Sequence, residues 1–72
     1  MSDVYASDMV QGYIDGKEDD RSELPVSLNN RSHSYRHGWM NGRDDRLGTP
    51  RATAAELRVM ARVAKQMDRG TA

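Results

Sequence analysis

Two segments of this chain repeat each other at a spacing of 26 residues. Gly12-Tyr13-Ile14-Asp15-Gly16-Lys17-Glu18-Asp19-Asp20 is echoed by Gly38-Trp39-Met40-Asn41-Gly42-Arg43-Asp44-Asp45-Arg46, and only the pair Asp20/Arg46 differs in type. Each copy carries two glycines four positions apart, Gly12 with Gly16 and Gly38 with Gly42. In a helix both glycines of a copy then lie on one face. Glycine inside a helix costs about 1 kcal/mol relative to alanine, so four cost on the order of 4 kcal/mol. That is a large part of the stability of a small domain. Close approach of a second backbone can offset it. That backbone could be the other copy, a second protomer or a nucleic-acid phosphate chain. Packing of the two copies on each other is the reading that explains the fold before any site.

Seventy-two residues allow one small domain with a thin core, since 36% of the chain is apolar and 31% charged. There is no cysteine to supply a disulfide or a thiolate metal site. No apolar run approaches the roughly 20 residues of a membrane span, and Met1-Ser2-Asp3-Val4-Tyr5 lacks the pattern of a signal peptide. A cytoplasmic protein is expected. The net charge is zero but unevenly spread: residues 1–24 hold seven acids and two bases, net −5, while residues 25–50 are net +2 and 51–72 net +3. An acidic first third can attract the basic remainder, within one chain or between two.

The pattern predicts an all-α fold. A first helix covers about 3–20, capped by Ser2 or Asp3, with Tyr5, Met9, Tyr13 and the glycines along one face. Residues 22–30 read as a connecting loop in which Leu24, Val26 and Leu28 could plug the edge of the helix pair. Leu24 is held extended by Pro25. A second helix covers about 31–47, with Asn29, Asn30 or Ser32 as cap, and ends at Gly48 and Pro50. These two form a pseudo-repeat helical hairpin within residues 1–50. Residues 51–72 add an amphipathic helix over about 51–69, opened by the capping-box pattern Thr53-x-x-Glu56. Its Leu57, Met60, Ala64 and Met67 form an apolar seam, a candidate for homodimerisation or for packing on the hairpin. Arg58, Arg62, Lys65 and Arg69 form a basic stripe on another face.

Catalytic signatures are absent: there is no phosphate-binding glycine loop and no nucleophile elbow. His33 and His37 stand four apart, but no third metal ligand is selected by spacing, so neither a metal nor a cofactor is assigned. Tyr13 and Trp39 occupy equivalent places in the repeat and serve either as core or as stacking platforms for unpaired bases. On the second reading Lys17, Arg36, Arg43 and Arg46 supply phosphate contacts beside them, helped by Arg58, Arg62, Lys65 and Arg69. Overall neutrality argues against tight non-specific binding of nucleic acid.

The order Gly12-Tyr13-x-x-Gly16-Lys17, then Pro25, then Arg31-x-x-x-Tyr35-x-x-Gly38-Trp39-x-x-Gly42-Arg43-x-Asp45 resembles the ribosome modulation factor family over about residues 10–46. The resemblance implies two helices joined by a connector, binding to the small ribosomal subunit, and a role in ribosome hibernation. Departures are the acidic N-terminal third, where the family's ribosome binders are basic, Leu24 in place of a connector cysteine, and the additional basic helix. The leading expectation is a non-enzymatic modulator associated with the ribosome or RNA through the second helix. The alternative is a protein-interaction module, for example a phage- or mobile-element-encoded inhibitor of a host protein, presenting its acidic first helix.

Overall fold

The computed structural model describes residues 3–70 and contains three α-helices. They are α1 (Val4–Glu18), α2 (His33–Leu47) and α3 (Ala54–Gly70), with a single 3-10 turn at Val26–Leu28. The helical hairpin expected from the repeat is present, with the C-terminal helix packed on it, and no strand occurs among the described residues.

Each helix begins where the sequence offers an acceptor for its orphan amides. The Asp3 carboxylate accepts from the Tyr5 and Ala6 amides. Ser32 Oγ accepts from the Tyr35 amide. Thr53 and Glu56 form the reciprocal capping box, Glu56 N to Thr53 Oγ1 at 3.2 Å and Thr53 N to Glu56 Oε1 at 3.1 Å. Helix α2 ends at Gly48, whose φ of 69° is the left-handed conformation that glycine tolerates.

The two paired helices run in the same direction. A β-carbon placed on Gly12 would overlap the carbonyl oxygen of Tyr35, and one on Gly16 that of Trp39. Conversely, Gly38 abuts the carbonyl of Met9 and Gly42 that of Tyr13. Contacts therefore advance together along both helices. The set is symmetric under the 26-residue shift, because Tyr35 corresponds to Met9 and Trp39 to Tyr13. A parallel pair needs a connection that returns the chain to its starting end. The 14 residues between Glu18 and His33 can reach about 46 Å when extended, and each helix is only about 22 Å long.

Core burial follows from this arrangement. Trp39 is fully buried and Tyr35 nearly so, while Tyr35 Oη donates to Asp15 Oδ2 at 2.5 Å. Burial first, and the Asp15 carboxylate second, push the Tyr35 hydroxyl up to about 12. In the connector Pro25 is buried and Leu24 and Leu28 half-buried, but Val26 is 82% exposed. The tight turn at Val26–Leu28 replaces the extended alternation, so Val26 points away instead of plugging the edge.

Helix α3 lies antiparallel to α2; a buried carboxylate fastens its C-terminal end, and a second, on α2, holds the loop that leads into it. Asp68 accepts from the His33 and Ser34 amides and from Ser34 Oγ, at 2.8, 2.8 and 2.6 Å. It thus caps the N-terminus of α2 from another helix. At the far end Asp44 accepts from Arg43 and from the Arg51 guanidinium at 2.6 Å.

Candidate functional site

The residues expected to contact RNA divide into three groups. The first is built into the fold. Trp39 has no exposed ring face and packs where the two helices cross, so it is core and not a stacking platform. Arg46 Nε donates to the Gly16 carbonyl and its Nη2 to the Arg21 carbonyl at 2.6 Å. That guanidinium satisfies an orphan carbonyl at the α1 C-terminus, where the helix dipole favours a cation. Arg43 donates to the Ser22 carbonyl and to Asp44. The two arginines hold the start of the connector against α2.

The second group is partly engaged. Tyr13 Oη donates to Asp45 at 2.5 Å, and Lys17 Nζ stands 5.7 Å over the Tyr13 ring. Arg36 Nη2 meets His33 Nδ1 at 2.9 Å, while its Nε is buried with no partner in the structure. Lys65 and Arg69 both reach the Asp3 carboxylate, at 3.3 and 3.4 Å. Asp3 is thereby held below its ordinary value, first by its bond from the Ala6 amide and then by these cations.

The third group consists of Arg58 and Arg62. Both are exposed, one turn apart on α3, with no ion pair or hydrogen bond to another described residue.

The acidic face of α1 is smaller than its composition implies. Asp3, Asp8 and Asp15 are turned to Lys65/Arg69, Ser32 and Tyr35 respectively. Glu18, Asp20 and Glu23 remain exposed.

His33 and His37 point into separate networks. His37 is buried between Arg51, 3.2 Å from Nδ1, and the Asn41 side-chain amide, 3.2 Å from Nε2. A guanidinium can only donate, so Nδ1 accepts and the proton sits on Nε2. Turning the Asn41 amide over lets its oxygen take that proton, which also gives a partner to Oδ1, otherwise buried without one. Burial, and then the Arg51 charge, hold the His37 pKa below its ordinary value, so the ring is neutral. Among the described residues no cluster of three or more His, Asp or Glu side chains could hold a metal ion.

The sequence reading missed a groove between α2 and α3, of about 410 Å³ and open to solvent. Leu24 and Met40 line one wall and Val59, Met60, Val63 and Met67 the other. The expected α3 seam is split by this geometry. Ala64 is buried and Leu57 half-buried against the chain's own hairpin, whereas Met60 and Met67 stay exposed. Val59 and Val63, outside the narrow seam, were the signal that α3 is apolar over a wider arc than α2 can cover. No helix among the described residues is long and apolar enough to cross a membrane. Comparisons with protein-family models, with curated proteins and with solved structures found no match.

Proposed function

We propose that this chain is a non-enzymatic cytoplasmic binding module that associates with RNA, on the ribosome as the family resemblance implies, through the arginine edge of α3. The observation that carries the reading is the pair Arg58 and Arg62. They are exposed cations a turn apart, and neither has an ion pair or hydrogen bond among the described residues. Phosphate contact by such a pair positions a protein on RNA without reading its sequence. Stacking is not part of the reading, because the Trp39 ring is enclosed. Lys17 and Arg36 are secondary contributors at most, one over Tyr13 and the other against His33.

The test is co-sedimentation of the purified protein with small ribosomal subunits across a salt series. Binding should fall with salt, and Arg58→Ala with Arg62→Ala should weaken it while leaving helix content unchanged. Arg43→Ala and Arg46→Ala are poor probes, because both side chains hold the connector. A protein that stays off subunits and free RNA at low salt would end this reading. A second reading, a protein-interaction module, is favoured by the open apolar groove and not by the acidic first helix.

A further inference from the structure

The α2–α3 groove leaves apolar side chains of α3 open to solvent. Among the described residues the buried apolar side chains are Pro25, Tyr35, Trp39 and Ala64, a thin core for a chain that no disulfide staples. Meanwhile Val59, Met60, Val63 and Met67 are all at least 39% exposed. Glu56, Met60, Val63 and Met67 are spaced four, three and four, the spacing of a helix seam that pairs with another helix.

The charges along the groove are ordered. Its polar lining is His33, Arg36 and His37, with no carboxylate. Because α3 runs antiparallel to α2, with Asp68 at His33 and Arg51 at Asp44, His33 and Arg36 flank the Met67 end of the seam. Glu56, whose Oε1 accepts from the Thr53 amide, occupies the opposite end and is exposed. Among the described residues the Arg36 guanidinium has the His33 ring as its one partner, and its buried Nε has none.

We propose that a second copy of this chain seats its α3 antiparallel in the groove, forming a twofold dimer centred on Val63. In that register Met60 of each copy lies near the Met67 end of the other, and Glu56 reaches the partner subunit's Arg36. Both grooves are filled by the same act, so the contact closes at two copies instead of growing into a filament. The parallel alternative sets the two Glu56 carboxylates side by side and leaves Arg36 unmatched, which opposes it. Arg58 and Arg62 lie on the far side of α3 from this seam, so the dimer does not depend on the RNA reading and leaves those arginines exposed.

Light scattering over a concentration series should give a mass twice the 8.1 kDa of one chain. Val63→Asp puts two carboxylates across the axis and should return the mass to one chain with unchanged circular dichroism, since Val63 is exposed in the single chain. Arg36→Glu and Glu56→Arg should each weaken the dimer about tenfold or more, and the double swap should recover it. The chain has no cysteine, so Val63→Cys gives one thiol per copy. Mild oxidation should link the copies, while Arg58→Cys on the opposite face stays unlinked. A single-chain mass at millimolar concentration, or linking at position 58 as fast as at 63, overturns the proposal. So does a dimer indifferent to Val63→Asp, or a monomer whose groove instead takes a foreign acidic amphipathic peptide.

Discussion

A β-carbon on Gly16 would overlap the carbonyl oxygen of Trp39, and neither atom belongs to a flexible side chain. Only separation of the helices can relieve that overlap, and separation uncovers Trp39. Gly16→Ala should therefore lose about 1–3 kcal/mol net of its better helix propensity, read as a lower urea midpoint. Gly70→Ala meets open space and should lose nothing. Trp39→Ala should cost about 3–5 kcal/mol, a core truncation. RNA binding lost in that variant would therefore track unfolding, and circular dichroism on the same sample separates the two. The four glycines were legible in the sequence as a packing device, because helix-interior glycine is costly and their spacing repeats. The role of Trp39 was not legible. A large aromatic beside basic residues fits a core and a stacking platform equally well until its burial is known.

At the scale of elements, one polar clamp, Asp68 on the α2 N-terminus, holds the C-terminal end of α3, and another, Asp44 with Arg51, holds the loop before it. Burial pushes Asp68 up, but the bonds from the Ser34 hydroxyl and the Ser34 and His33 amides outweigh it and hold the carboxyl below 3.8. For Asp44, burial is likewise outweighed by Arg51 and Arg43. A lowered carboxyl pKa stabilises the fold fully above the ordinary value. That contribution is lost as pH falls from about 3.8 through the folded value. His37 adds an earlier step. Its lowered pKa means the buried neutral ring opposes protonation, so stability declines as pH falls from about 6.5. Thermal midpoints measured from pH 8 to 2 should fall gently below 6.5 and steeply below 4, and Asp68→Asn should blunt the second fall. Asp68→Ala leaves two amides of α2 without their acceptor and should cost about 2–3 kcal/mol at neutral pH. The elements themselves were readable from caps and periodicity. The clamp was not, since Asp68 lies 34 positions from Ser34 and local sequence gives no sign that they meet.

For the whole molecule, the net charge of zero hides a division of labour. Asp3, Asp8 and Asp15 are engaged within the chain, and Asp3 holds two of the cations, Lys65 and Arg69, that composition alone would offer to a partner. What remains for RNA is a short edge, which predicts modest affinity and a shallow salt dependence. Removing Arg58 or Arg62 should lower the slope of log affinity against log salt by about one each. If the dimer forms, each assembly carries two such edges, and Val63→Asp should weaken binding to a two-site RNA more than to a single-site one.

Read along the chain, the residues already point to two like helices with glycine faces, a proline-bearing connector between them and an amphipathic helix after them. These are local matters of period, capping and backbone size. Tertiary structure alone decided that the paired helices run in the same direction and that Arg43 and Arg46 bind carbonyls of the connector. It also decided that Arg58 and Arg62 are left facing solvent and that part of the apolar arc of α3 stays uncovered. The physical reason is that a charge or an apolar surface has the same composition whether satisfied internally or not. Only the positions of groups distant in the chain determine which are already spent.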